Sequence, residues 1–338
     1  MAAYTGIQGQ NILIVSSDPS NPTEGQIWYN STSNLLKGYQ NVVVAAAWAT
    51  GGNLGTPRYF SGAAGTQTAA LLIAGQDSVP NLSISAVEAY NGTSWTASPS
   101  YPATYFGLGG AGTQTAAVAW CGSIPSNYAP GVATWHNDTN KWNGSAWTSS
   151  GAYPRAQSAQ GAAGTQTAAL STGGTNTAPG APGLTTATNT YNGTSWTTVP
   201  GTLVTAYGFQ NSMFGTQTSA LAITGNTPNS VQSYNGTTWT AGTSMNTTRY
   251  ASAFGDSNQS GVAFGGPPSL TTTEVWNGTT WTNNPTGLNT GRASAVGFGT
   301  SASGLAAGAS SGSVPTDQAT EEWTGASTTL QTKTITTS

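Results

Sequence analysis

Apolar residues in this chain fall in short runs closed off by Gly, Pro, Asn or Ser, and they never recur at the three- and four-residue spacing of a helix face. Between Pro57 and Thr96, Arg58-Tyr-Phe-Ser-Gly-Ala-Ala64, Ala69-Ala-Leu-Leu-Ile-Ala74, Ala86-Val-Glu-Ala-Tyr90 and Ser94-Trp-Thr96 read as four successive extended segments. They are expected to form a four-stranded antiparallel meander. The last hairpin carries Asn91-Gly92, a pair suited to a type I′ turn, which needs positive φ at both central residues. The same dipeptide returns at Asn143, Asn192, Asn235 and Asn277.

This pattern repeats. Gly-Thr-Gln-Thr-Ala begins at Gly65, Gly112 and Gly164, and Gly-Thr-Gln-Thr-Ser at Gly215. Tyr-Asn-Gly-Thr-Ser-Trp-Thr begins at Tyr90 and Tyr191, with variants from Trp142, Tyr234 and Trp276. Two alternating signatures at a period of roughly 40 to 52 residues describe an array of one supersecondary unit. Ala- and Gly-rich second strands suit a crowded axis, and the Trp and Tyr of the last hairpin can fill the wedge between neighbouring sheets. The fold class is all-β, a β-propeller of four-stranded antiparallel blades.

Third-and-fourth strand pairs can be placed at Leu36 to Trp48, Val87 to Trp95, Asn140 to Trp147, Asn189 to Trp196, Gln232 to Trp239, Glu274 to Trp281 and Glu321 to Leu330. Seven blades of about 48 residues fit the length better than six of about 56. Ile12 to Val15 and Gln26 to Asn30 would then supply the first two strands of one blade. The alternative is a ring of six closed by a terminal strand, with an N-terminal arm left over. Residues 1–34 are accordingly set apart as a tether or part of a first blade, and 35–338 as the propeller.

Composition narrows the function. Charged residues make up only 5%, and the net charge of -3 comes from seven basic and ten acidic side chains. That is far too few cations to track a phosphate backbone or hold an anionic membrane surface, so no nucleic-acid partner is expected, and no segment approaches the roughly 20 apolar residues that span a bilayer, so no membrane insertion is expected either. The single cysteine, Cys121, follows the apolar run Ala116-Ala-Val-Ala-Trp120 and reads as a buried thiol. The single histidine, His136, reads as a surface-loop residue. One histidine cannot assemble a usual three-ligand zinc site, so no metal, cofactor or catalytic residue is assigned. No signal peptide is read at the N-terminus, so synthesis in a cytoplasm without a secretion signal is expected.

With a Gly after the second strand (Gly75, Gly122, Gly173-Gly174, Gly265-Gly266) and an aromatic, tight turn and Trp after the third, residues 36 to 330 resemble kelch-type β-propellers. The doubled Gly is complete only in the third and fifth copies. Asp18-Pro-Ser-Asn-Pro-Thr-Glu-Gly-Gln-Ile-Trp-Tyr-Asn30, running through Ser31-Thr-Ser-Asn34 to Leu35-Leu-Lys-Gly-Tyr39, is similar to a segment of tailed-bacteriophage tail and fibre proteins. Such proteins often continue into Gly-Thr-Gln-Thr-Ala and Tyr-Asn-Gly-Ser-Trp arrays. The resemblance implies a virion protein.

Arg58, Arg155, Arg249 and Arg292 read as occupying one loop position in four repeats, and Glu88, Glu274 and Glu321 accompany three of them. Structural ion pairs Arg58–Glu88, Arg249–Glu274 and Arg292–Glu321 are expected, each pinning a loop to its sheet. Recurring Trp and Tyr are assigned to inter-blade packing. Non-repeating aromatics in or beside the irregular insertion Ser123 to Lys141, namely Tyr101, Tyr105, Tyr128 and Trp135, are the ligand-binding candidates.

The resulting expectation is a non-enzymatic virion protein, a tail, fibre or appendage component, contacting other virion proteins, forming a homo-oligomer and recognising host-surface glycan. A purely architectural capsid-decoration or tail-assembly subunit is the alternative, and a propeller-fold polysaccharide hydrolase a weaker one.

Overall fold

The computed structural model describes residues 12–77, 82–125, 133–176, 183–208, 211–224, 229–310 and 314–336. Apart from one helical turn, Val314–Asp317, the regular structure is β, and no helix among the described residues is long and apolar enough to cross a membrane. The strands form seven sheets, and the chain divides into two compact units. Residues 47–324 form one; residues 1–46 and 325–338 form the other. The division thus falls after Ala46 rather than after residue 34, and the last residues of the chain belong with the first.

Six of the sheets lie in the larger unit. Their first strands are Gly62–Thr66, Gly109–Thr113, Gly161–Thr165, Asn211–Thr216, Ser252–Ser257 and Val296–Gly299, and each touches the next in cyclic order, the last returning to the first. These are the axial strands. The axis is thus lined by first strands such as Gly62-Ala-Ala-Gly-Thr66 rather than by the second strands. Close approach there is direct: a Cβ on Gly110 would lie 2.6 Å from the Ala63 backbone nitrogen of the neighbouring blade.

Five blades close locally, and the sixth does not. Its outer strand is Ala47–Thr50, which pairs with Thr320–Thr324 in the register Trp323↔Trp48. Two of the seven pairs expected from sequence have therefore exchanged partners. Leu35–Val44 does not turn back on Trp48; it pairs with Ser327–Thr334. Seven sheets are present, but the ring is the six-membered, strand-closed alternative. The seventh sheet, Leu13–Val15, Ile27–Asn30, Leu35–Val44 and Ser327–Thr334, belongs to the smaller unit, and its first two strands run parallel.

Inter-blade packing has one repeating element. Tyr90 faces Trp95, Trp142 faces Trp147, Tyr191 faces Trp196, Tyr234 faces Trp239, Trp276 faces Trp281 and Trp323 faces Trp48, with ring centroids 4.9 to 5.2 Å apart. Four of the outer-strand indoles reach back to the preceding blade, where the Nε1–H groups of Trp48, Trp95, Trp196 and Trp239 each donate to a Thr Oγ1 at 2.9 Å. The Asn-Gly turns differ from expectation. Gly92 has φ +92°, but Asn91 is not in the positive region; its Oδ1 accepts the backbone N–H groups of Thr93 and Ser94 at 3.0 and 2.9 Å. The loop is four residues long between the paired Tyr90 and Trp95, so the asparagine acts through its side chain and a type I′ turn is not formed.

In the smaller unit three residues of the segment from Asp18 to Tyr39 converge on the Asp18 carboxylate. It receives Lys37 Nζ at 2.7 Å, Asn30 Nδ2 at 2.8 Å and the buried Trp28 Nε1 at 3.0 Å. These donors, Lys37 first, hold the Asp18 pKa down at about 2. Sheet stability from this carboxylate is present above its ordinary value of 3.8 and lost as pH falls towards 2.

Because Trp48 closes the ring, Trp48→Ala is expected to lower the unfolding free energy by about 3–5 kcal/mol, as much as Trp239→Ala inside a local hairpin. Urea unfolding measures this. A Trp48→Ala cost below about 1 kcal/mol, the scale of an ordinary surface change, would contradict closure by the terminal strand.

Candidate functional site

Each blade is entered through a loop that must be fixed to the sheet it joins, and the sequence-selected ions do this. Glu88 accepts the backbone N–H groups of Gly55 and Thr56 at 2.7 and 3.2 Å and pairs with the Arg58 guanidinium. Glu274 takes Asn246 and Thr247 at 2.7 and 3.1 Å with Arg249 at 2.6 Å, and Glu321 takes Asn289 and Thr290 at 2.6 and 3.1 Å with Arg292 at 2.5 Å. All six side chains are buried. Burial pulls the three guanidinium pKa values down, and the adjacent carboxylates oppose that fall.

The other blades meet the same need without ions. Gln232 Oε1 accepts Val204 and Thr205 N–H at 2.6 and 3.3 Å while its Nε2 donates to Thr205 O at 3.0 Å. Asn140 and Asn189 donate to the Tyr101 and Tyr153 hydroxyls at 3.0 and 2.7 Å. Arg155 is not the equivalent of Arg58. That place is held by Gln157, whose Nε2 donates to Gly173 O at 2.9 Å. A shift of two residues thus explains why Arg155 has no glutamate opposite it.

The ligand-binding candidates separate. Tyr101 and Tyr105 are 2% and 4% exposed and belong to an inter-blade core, so they are not surface recognition residues. Tyr105 donates to Asp138 Oδ2 at 2.6 Å and stacks on His136 with centroids 4.5 Å apart. The insertion is a lengthened hairpin, Ala116–Pro125 with Ala133–Trp142, rather than a loop, and it places His136 and the half-buried Trp135 on a strand. Tyr128 lies outside the described residues. Cys121 is fully buried, and burial raises its thiol pKa well above the ordinary value. Among the described residues no three His, Cys, Asp or Glu side chains gather as metal ligands.

Among the described residues the first strands and their entries wall an axial cavity of about 290 Å³. Its polar wall residues include Ser61, Ser158, Gln160 and Ser212, and Phe60, Phe106 and Tyr250 are half-buried there. Sequence reasoning missed it because the aromatics that line it differ in position from repeat to repeat, while Gly and Ala in the axial strands signal only close packing.

Two outcomes are expected. Glu88→Ala leaves Arg58 buried without its counter-charge and costs about 3–5 kcal/mol, part of which returns in the Arg58→Ala, Glu88→Ala double mutant; additive costs in urea unfolding would contradict the coupling. Burial, with the Glu322 carboxylate accepting its hydroxyl, pushes Tyr90 up to about 12 from the ordinary 10, and burial also raises Tyr101 and Tyr153. A raised phenol favours the folded state below its unfolded pKa and loses that contribution as pH rises through the folded one. Stability should therefore decline as pH climbs from 10 towards 12; tyrosinate absorbance rising at pH 10 with no loss of stability would contradict this.

No family model matches the chain, and no curated protein matches it. Among solved structures, YjhT, a β-propeller-like protein, aligns with a TM-score of 0.62 at 14% identity, over 82% of this chain and 99% of its own. At that identity the likeness establishes the fold, and the fold is a β-propeller.

Proposed function

We propose that the chain is a non-enzymatic structural protein of a tailed-phage virion, a tail, fibre or other appendage component whose propeller recognises host-surface glycan. The observation that carries this reading is the division of labour between the two units. The ring is closed within residues 47–324, so it does not need the chain ends for its architecture. Both ends instead build a separate small sheet. Seven of the nine large apolar side chains exposed among the described residues lie there: Leu13, Ile14, Leu35, Val43, Val44, Leu330 and Ile335.

A single-layer sheet with apolar side chains left in water is a poor free-standing structure, and it suits attachment to neighbouring virion subunits or to further copies of the chain. The likeness of residues 18–39 to phage tail segments falls in this same unit. In the ring, the three Arg–Glu pairs are committed to loop pinning, and the axial cavity is walled by Gly, Ala, Ser and aromatic residues. That chemistry suits recognition more than bond cleavage.

Mass spectrometry of purified particles, with immunogold labelling, tests the reading. The chain should be present at fixed stoichiometry, and Val43→Asp with Leu13→Asp should lower incorporation at least tenfold while the melting temperature of the ring is unchanged. Absence of the chain from particles, or unimpaired incorporation of the double variant, would contradict it.

A further inference from the structure

The axial cavity has a wall chemistry that selects a ligand class. Its described wall residues contribute no carboxylate, ammonium, guanidinium or imidazole. An ionic ligand would lose its hydration there and find no counter-charge, so the cavity disfavours ions of either sign. Two wall aromatics, Phe60 and Phe106, stand 6.3 Å apart between ring centroids, and Tyr250 adds a third half-buried ring.

Polar groups share the wall. Gln160 is 5% exposed; its Nε2 donates to Trp120 O at 3.2 Å, while its Oε1 is buried with no hydrogen-bond partner. With Nε2 kept on Trp120 O, the oxygen remains an unused acceptor, and a ligand hydroxyl donating to it removes the cost of leaving it unsatisfied. Ser158, two residues earlier in the same blade entry, and Ser212, from the first strand of the next blade, also line the wall. Wall positions in three blades are also held in the left-handed region by residues other than glycine, Phe60 at φ +52°, Ala159 at +57° and Ser294 at +53°. Such backbone persists where the surrounding structure imposes it, and it tends to cluster at ligand sites.

We propose that this cavity binds one uncharged sugar ring, its apolar face against Phe60 and Phe106 and its hydroxyls on Gln160, Ser158 and Ser212. The volume of about 290 Å³ lies at the lower limit of small-molecule sites, which run from roughly 300 to 1,000 Å³, so it holds a single ring and leaves the rest of a chain outside. The inference rests on the recognition reading above and names its ligand. The aromatic platform supplies stacking area, and the neutral wall makes the interaction insensitive to salt.

The test is saturation-transfer NMR on the intact protein with methyl glycosides of glucose, galactose, mannose and glucuronic acid, and with cyclohexanol as an apolar control. At least one neutral glycoside should bind, more tightly than the glucuronide and cyclohexanol, with affinity unchanged as salt is raised. Phe60→Ala and Phe106→Ala should each weaken it at least tenfold, and Phe60→Leu, which keeps the volume, supplies a folded control by its melting temperature. No glycoside contact, preference for the acid, equal binding of cyclohexanol, or indifference to both folded Phe variants would overturn the assignment. Binding by a chain that is absent from particles would retain this site and remove the virion role; a particle component that binds no glycoside would do the reverse.

Discussion

The propeller depends on a backbone hydrogen bond that recurs from blade to blade and is seen at five of the six junctions among the described residues. After the second strand of these five blades the chain turns through a left-handed residue, and the next N–H points into the following blade. Gly75 N donates to Tyr105 O at 2.8 Å, Gly122 to Gln157 at 2.9 Å, Gly174 to Tyr207 at 2.7 Å, Gly266 to Arg292 at 2.8 Å and Ala309 to Arg58 at 3.2 Å. The last bond returns to the first blade, so the ring closes in hydrogen bonds as well as in packing. The constraint explains the incomplete doubled-Gly signature. Ala74 and Cys121 occupy the first of the two positions at φ +54° and +58°, a conformation that Gly173 and Gly265 adopt at less steric cost.

The second layer of constraint runs in the opposite direction. The glutamine of each Gly-Thr-Gln-Thr turn reaches back into the preceding blade. Gln114 Nε2 donates to Ala70 and Tyr90 carbonyls at 3.1 and 2.6 Å, Gln166 to Ala117 and Trp142 at 2.9 and 2.6 Å, and Gln217 to Ala169 and Tyr191 at 2.9 and 2.7 Å. Gln67 does the same across the closure, to Trp323 O at 2.8 Å. Neutral amides do here what charges do elsewhere, which accounts for a stable fold with 5% charged residues. Arginine and glutamate are kept for three loop entries, and even there Gln232 shows that an amide can serve.

Much of this was legible in the chain. The repeat period, the Trp wedge and the Arg–Glu pairing could be read because each is local or recurs at fixed spacing. The partner exchange could not, since Leu36 to Trp48 has the same local pattern as a true hairpin and only the whole ring decides that Trp48 faces Trp323. Tyr101 and Tyr105 looked exceptional because they fall outside the repeat; they do so as substitutes for an ion pair, not as a binding surface. The Asn-Gly turns were placed correctly and given the wrong mechanism, because a side-chain cap and a positive φ leave the same mark in sequence. The axial cavity left no mark as a site, because every blade gives it several first-strand residues that read as close packing while its half-buried aromatics change position from blade to blade.

Native-state hydrogen exchange of the five latch amides, Gly75, Gly122, Gly174, Gly266 and Ala309, is the most direct measurement of the closed ring. One cooperative ring predicts that all five exchange through the same global opening, with matching protection and matching dependence on denaturant. If Ala309 exchanged much faster than the other four, the seam between the last blade and the first would be open in solution, and the account of a ring closed by its terminal strand would fail.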